Sequence, residues 1–82
     1  MGKPTDRFKR DTDTIKLVGA NIRKYRKLKG LKQKDLAYLC DLTVPMVTRY
    51  ETGIVDLGIT KIKLISTALD INPGQLFDPL EI

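Results

Sequence analysis

Apolar residues recur at intervals of three and four along most of this chain, a spacing that predicts amphipathic helices. The first such segment places on one face Ile15, Val18, Ile22 and Tyr25. Leu28 and Leu31 extend that face, and Gly30 suits the left-handed turn that ends many helices. We therefore predict a first helix from Thr14 to Lys29, with Gly30 as its C-terminal cap.

Two shorter helical patterns follow, separated by a break at residues 41–43. The first covers residues 33–40, where the apolar side chains that share a face are Leu36, Ala37 and Cys40. Helices of about two turns are marginal in isolation. Both are therefore expected to pack against the rest of the chain.

The second short helix has a recognisable start. Thr43 can accept a backbone amide as N-cap, and Pro45 is tolerated in the first turn because its missing amide has no partner there. The side chains expected to face inward are Met46, Val47 and Tyr50, and those expected to face outward are Val44, Pro45, Thr48 and Arg49.

The remainder of the chain predicts two more helices. The fourth should cover residues 60–69 and bury Ile62, Ile65 and Leu69. Asn72 and Pro73 suit the N-cap and first position of a short fifth helix, which should turn Leu76 and Phe77 inward. No segment alternates apolar and polar residues as a strand would, so we predict an all-α, compact five-helix bundle.

A chain of 82 residues with 41% hydrophobic content is expected to form one small domain. We place this domain at residues 14–77, between a flexible N-terminal arm over residues 1–13 and a C-terminal tail over residues 78–82. No apolar run is long enough for a membrane span, and no signal-peptide pattern opens the chain. A cytoplasmic location is therefore expected.

The residues that usually build metal and catalytic sites are scarce. One Cys excludes an internal disulfide, and without His the usual zinc spacings are missing. Cys40 is more consistent with a buried core thiol than with a nucleophile, and Asp11 and Asp13 with solvated carboxylates than with a calcium site. With no triad, metal cluster or phosphate-binding glycine loop, neither enzymatic activity nor a cofactor is predicted.

The charge is distributed unevenly. Between residues 14 and 34 there is no acidic residue, and the basic ones are Lys16, Arg23, Lys24, Arg26, Lys27, Lys29, Lys32 and Lys34. From residue 35 onward the chain has three basic and seven acidic residues, although the net charge of the whole chain is +5. Such a basic region suits a polyanion, although charge alone is equally consistent with a solvated helix face. Its position beside the two short helices favours nucleic acid.

The order IRKYRKLKGLKQKDLAYLCDLTVPMVTRYETG, followed by ISTALDINPGQLF, resembles the helix-turn-helix family of phage repressors and Cro, also called the xenobiotic response element family. The similarity covers residues 17–77. It includes an arginine four positions before a glycine, a glutamine that opens helix 2, and Glu-x-Gly after helix 3. The resemblance implies a DNA-binding bundle in which helices 2 and 3 form the motif and helix 3 reads the major groove.

The family's functional positions carry over to specific residues. The resemblance implies base reading by Val44, Pro45, Thr48 and Arg49, backbone contact by Thr43, contact of Gln33 with a phosphate or an outer base edge, and a structural charge pair between Arg26 and Glu51. Backbone contacts are also expected from Lys32, Gln33 and Lys34, because the free amides and dipole at the amino end of helix 2 favour a phosphate. Arg49 can grip guanine with two hydrogen bonds, and Thr48 can donate to a phosphate or a base. Val44 and Pro45 can contact a thymine methyl, or they can serve only to start the helix.

Two departures from the family pattern affect these expectations. The turn between helices 2 and 3 has Asp41 where the family normally has glycine, and aspartate tolerates the left-handed conformation better than most residues. The loop Ile54-Val55-Asp56-Leu57 is apolar where the family often has polar residues near phosphate. This loop can instead contact a protein partner or the core.

These observations predict sequence-specific binding to double-stranded DNA by a small transcriptional regulator that acts as a repressor. The expected site is a palindromic operator bound by a homodimer, which in a chain this small can require DNA to form. The tail and the loop near Leu57 are the surfaces left for pairing. The alternative is an antitoxin or protein-interaction module that docks a partner through residues 54–57.

Overall fold

The computed structural model describes residues 11–80, and this part of the chain is all-helical, with no strand. Its elements are α1 (Thr12–Leu28), α2 (Gln33–Leu39), α3 (Val44–Glu51), α4 (Ile59–Ala68) and a terminal 3₁₀ helix (Pro73–Phe77). The all-α prediction is confirmed. The prediction of five α-helices is corrected to four, because the last segment is a five-residue 3₁₀ helix.

Helix α1 begins two residues before the predicted start at Thr14. Asp11 caps it by accepting hydrogen bonds from the Thr14 amide at 3.0 Å and from the Thr14 hydroxyl at 2.6 Å. These hydrogen bonds lower the pKa of the Asp11 carboxyl. Residues 12 and 13 thus belong to the helix, whereas residues 1–10 of the predicted arm lie outside the described residues.

All four α-helices end in the same left-handed turn. The residue just after each C-cap has a positive φ: Gly30 (75°), Asp41 (53°), Gly53 (72°) and Asp70 (59°). In every case the backbone amide of the following residue donates a hydrogen bond to the carbonyl oxygen five residues earlier. The donor and acceptor residues are Leu31 and Arg26, Leu42 and Ala37, Ile54 and Arg49, and Ile71 and Ser66. This is the Schellman pattern. The predicted roles of Gly30 and Asp41 are confirmed.

The core draws on every element of the fold. Fully or almost fully buried apolar side chains include Ile22 on α1, Leu36 on α2, Val47 on α3, Ile65 on α4 and Leu76 on the 3₁₀ helix. Two predictions about the core are wrong: Leu28 is 73% exposed and Phe77 is 45% exposed. Each of these two residues is the last residue of its helix. Near the end of α1, Leu31 rather than Leu28 packs against the core.

Helix α3 approaches α1 closely because glycine occupies the contact. A Cβ atom on Gly19 would lie 2.2 Å from the backbone oxygen of Tyr50. Just beyond the end of α3, a Cβ on Gly53 would lie 2.8 Å from the Cα of Lys16. The C-terminal end of α3 therefore rests directly on the backbone of α1.

A buried amide ties the 3₁₀ helix to α1. Asn21 is fully buried, and its Nδ2 donates to the carbonyl oxygens of Leu76 and Asp78, both at 2.9 Å. Its Oδ1 has no hydrogen-bond partner among residues 11–80. The last element of the domain is thus held by two side-chain hydrogen bonds in addition to the apolar contact of Leu76.

Candidate nucleic-acid interface

Helix α3 presents the four predicted base-reading residues on its exposed side. Thr43 caps this helix, since its hydroxyl oxygen accepts from the Met46 amide at 3.3 Å. The side chains turned toward the core are Met46, Val47 and Tyr50, and those left exposed are Val44, Pro45, Thr48 and Arg49. The predicted inward and outward sides of α3 are therefore confirmed. Their contact with DNA stays a prediction.

The predicted charge pair between α1 and the end of α3 is present. Arg26 Nε donates to Glu51 Oε2 at 2.6 Å, and Arg26 Nη2 donates to Glu51 Oε1 at 3.1 Å. The two side chains are only 9% and 3% exposed. Arg26 Nη1 also donates to the carbonyl oxygen of Leu31 at 2.8 Å, which ties the pair to the turn before α2.

Gln33 continues this network toward the surface. Its Nε2 donates to Glu51 Oε1 at 3.1 Å, and its Oε1 accepts from the Thr48 hydroxyl at 3.1 Å. The first residue of α2 is therefore hydrogen-bonded to the middle of α3 at Thr48 and to its last residue, Glu51. The family pattern pointed to Gln33 as a DNA contact, but no sequence signal indicated that it also joins the two helices.

The other predicted backbone-contacting residues lie around the amino end of α2. Lys32 and Lys34 are exposed, whereas Gln33 is half-buried. The Lys32 amide donates to Asp35 Oδ2 at 2.8 Å, so one free amide at this helix end is satisfied within the protein. The two lysine side chains remain accessible to an external anion.

The basic surface of α1 is almost as extensive as the sequence suggested. Arg26 is buried in its ion pair with Glu51 and therefore does not contribute to this basic surface. Exposed cations on or beside α1 are Lys16, Arg23, Lys27 and Lys29, and the half-buried Lys24 lies with its Nζ 5.0 Å from the Tyr25 ring centre. This geometry is that of a cation–π contact. Seven of the eight predicted basic side chains thus have exposed or partly exposed positions.

The loop after α3 is divided between core and surface. Leu57 is 8% exposed and belongs to the core, whereas Ile54 and Val55 are 62% and 36% exposed. Leu57 itself is therefore unavailable for pairing, and pairing through the loop near it stays a prediction that depends on its exposed residues. Only the first half of the loop can offer apolar area to another molecule.

Cys40 is confirmed as a core thiol. It is 1% exposed, and its Sγ lies 3.9 Å from the carbonyl oxygen of Leu64. Burial raises the pKa of the Cys40 thiol, while the charge of Lys61 lowers it by less. The thiolate that a nucleophile requires is thus disfavoured at this position.

Within residues 11–80, no helix has the length and apolar character needed to cross a bilayer.

A helix-turn-helix family model matches residues 22–76, which is more than half of the chain and includes every element from the middle of α1 to the 3₁₀ helix. The chain belongs to the Cro/C1-type helix-turn-helix family. This family consists of DNA-binding transcription regulators. Helices α2 and α3 form the motif for which it is named.

Relatives with similar sequences fall into two groups. An HTH-type transcriptional regulator of Rickettsia conorii is 34% identical over 64 residues, which cover 78% of this chain and 51% of the relative. The control protein C.BamHI of Bacillus amyloliquefaciens is 33% identical over 69 residues, covering 82% of this chain and 85% of the relative. The chain thus spans about half the length of the first relative and most of the second.

Solved structures point to the same family. The restriction-modification controller protein C.AhdI from Aeromonas hydrophila superposes with a TM-score of 0.73 and 38% identity, covering 79% of this chain and 97% of that protein. The controller protein C.Esp1396I gives a TM-score of 0.71 and 30% identity over 78% of this chain. The helix-turn-helix fold is therefore shared with two controller proteins.

Proposed function

We propose that this helix-turn-helix protein binds a specific sequence in double-stranded DNA, reads the major groove with α3, and represses transcription. The observation that carries the proposal is the exposed side of α3, where Thr48 and Arg49 are accessible while Val47 and Tyr50 fix the helix on the core. A helix presented in this way fits the major groove, and a guanidinium can bind guanine O6 and N7.

Two further features support DNA as the ligand. Exposed lysines at the amino end of α2 and the basic side chains of α1 lie on the two helices that pack against α3. Neutralised phosphates release condensed counterions, so this surface supplies affinity that does not depend on sequence. Similarity to C.BamHI, C.AhdI and C.Esp1396I favours the role of a controller protein.

We further propose that the protein binds a palindromic operator as a homodimer. One α3 per half-site requires two-fold symmetry, with half-site centres about 34 Å apart, one turn of DNA. The pairing surfaces named by the sequence are the C-terminal tail and the loop near Leu57, in which Ile54 and Val55 are exposed.

Selection of bound sites from a random pool of DNA duplexes tests both parts of the proposal. The selected sites should share an inverted repeat, and footprinting should show two protected half-sites. Sedimentation with and without the selected duplex should show two protein chains per duplex. Recovery of no common sequence at physiological salt would reject sequence-specific binding, and a single unsymmetrical half-site bound by a monomer would reject the dimer.

A protein-docking role, as in an antitoxin or interaction module, is the second candidate. The observation that favours it is the exposure of Ile54 and Val55 in the loop and of Ile59, 87% exposed, at the start of α4. Val55→Ser with Ile59→Ser should then abolish binding of a protein partner and leave DNA affinity unchanged. Unchanged partner binding in that double variant would reject this role for the loop.

A further inference from the structure

A line of hydrogen bonds connects the buried ion pair to the exposed side of α3. Glu51 holds Arg26 with both carboxylate oxygens. Glu51 Oε1 also accepts from Gln33 Nε2, and Gln33 Oε1 accepts in turn from Thr48, both at 3.1 Å. The network therefore begins at a buried charge and ends at an exposed hydroxyl on the candidate interface.

Glu51 determines which way round the Gln33 amide lies. A carboxylate accepts hydrogen bonds and cannot donate them, so it selects the NH₂ end of the amide. The reversed amide would set its carbonyl oxygen against the Glu51 oxygen, with two acceptors face to face. The Gln33 oxygen is consequently directed at Thr48.

The Thr48 hydroxyl has a single proton, and both protein atoms beside it can only accept that proton. These are Gln33 Oε1 and the carbonyl oxygen of Val44, each 3.1 Å from Thr48 Oγ1. Whichever of the two oxygens accepts, the hydroxyl proton of Thr48 takes part in a hydrogen bond within the protein. The hydroxyl oxygen then offers only lone pairs to a molecule outside.

We propose that Thr48 acts solely as a hydrogen-bond acceptor at the interface, and that it recognises the exocyclic amine of a base, adenine N6 or cytosine N4. This inference rests on the proposed binding to DNA. The amines are the only hydrogen-bond donors that base edges present in the major groove. Phosphate oxygens also only accept, so the same polarity excludes a phosphate contact for this hydroxyl.

Site selection with three variants identifies the base pair that Thr48 reads. Thr48→Val removes the hydroxyl at nearly constant shape, and Thr48→Ser retains it. Thr52→Val is the matched control, because the Thr52 hydroxyl lies one turn further along and donates to the Thr48 carbonyl at 2.8 Å. Both threonines are exposed, and thermal melts check that every variant is folded at the temperature of the selection. One base pair should lose its preference in Thr48→Val alone.

Base analogues at that pair then test the polarity. Replacing the adenine or cytosine with an analogue that lacks only the exocyclic amine should weaken binding of the wild-type protein by about 3- to 10-fold, the loss of one hydrogen bond. The same replacement should leave the affinity of Thr48→Val unchanged.

Three results would overturn this inference alone: unchanged wild-type affinity for the analogue, a loss that appears instead when a carbonyl oxygen of the same pair is removed, or no base pair that responds to Thr48→Val. If the wild-type protein shows no sequence preference at all, the proposed function fails and this inference fails with it.

Discussion

The charges of Arg26 and Glu51 are almost completely withdrawn from water, with side chains 9% and 3% exposed. Removing one partner leaves the other charge buried and unpaired, which is far more costly than losing a surface ion pair. We expect Arg26→Met and Glu51→Gln each to lower the free energy of unfolding by about 3 kcal/mol, measured by denaturant melts.

The double variant tests whether the two residues act as a unit. Its loss should be clearly smaller than the sum of the single losses, because it leaves no buried charge without a partner. Lys63→Met on the exposed side of α4 is the control and should change stability by less than about 0.5 kcal/mol. Strict additivity of the two single losses would contradict the pairing.

Single residues were predictable where a motif or a period specifies them. The family pattern identified Arg26 and Glu51, and helical spacing identified the inward side of α3. Neither could identify the hydrogen bonds of Gln33, which depend on how α2 and α3 are placed relative to each other. Phe77 is 45% exposed although the sequence predicts it to face inward with Leu76, because the 3₁₀ helix buries only Leu76 of the two.

At the scale of elements, the turn between α2 and α3 carries strain at Asp41, whose φ is 53°. A left-handed residue other than glycine costs roughly 1–2 kcal/mol, and glycine costs about 0.5–1 kcal/mol in lost chain entropy. Asp41→Gly should therefore raise the free energy of unfolding by roughly 0.5 kcal/mol, and Asp41→Val should lower it. Equilibrium urea denaturation measures both, and a less stable glycine variant would contradict the strain argument.

The contact between α1 and α3 depends on the absence of a side chain at Gly19. An added methyl would overlap the Tyr50 carbonyl at 2.2 Å, and backbone atoms cannot rotate away as a side chain can. We expect Gly19→Ala to lower the free energy of unfolding by about 2 kcal/mol despite the better helix propensity of alanine. Thermal melts measure the loss.

Gly74 provides the control for this substitution, since a Cβ there would meet no atom within 4 Å. Gly74→Ala should leave stability within about 1 kcal/mol of the wild-type protein. Equal stability of the alanine variants at both positions would show that α1 and α3 are not in close contact.

Helix interiors were predictable from apolar spacing, and helix ends were less so. The predicted α1 began at Thr14 because the apolar period starts at Ile15, whereas the first turn of this helix is polar and its cap is Asp11. Where a residue has a special backbone role, as Gly30, Thr43 and Asp41 do, the sequence indicated the boundary correctly.

For the whole molecule, composition and pattern predicted the helical class but not how the 3₁₀ helix is attached. That attachment depends on Asn21, a polar residue on the apolar side of α1 that reaches two carbonyl groups 55 and 57 positions away. Periodicity treats such a residue as an interruption of the pattern. Only the folded chain assigns it a partner.

Two of the exposed cations of the molecule, Arg49 and Lys34, are expected to make different kinds of contact with DNA. Arg49 lies on the exposed side of α3, whereas Lys34 lies at the amino end of α2. A base contact should change affinity for one sequence, and a phosphate contact should change affinity for every sequence. Alanine substitutions at Arg49 and Lys34 are matched, since each removes one positive charge from an exposed position.

The most direct measurement is the affinity of Arg49→Ala and Lys34→Ala for the selected duplex and a scrambled duplex across a range of salt concentrations. Arg49→Ala should cost about 1–3 kcal/mol on the selected duplex only and relax the preference at one base pair. Lys34→Ala should weaken both duplexes alike and reduce the salt slope by about one unit. If Arg49→Ala weakens both duplexes equally, α3 does not read the bases and the central proposal is wrong.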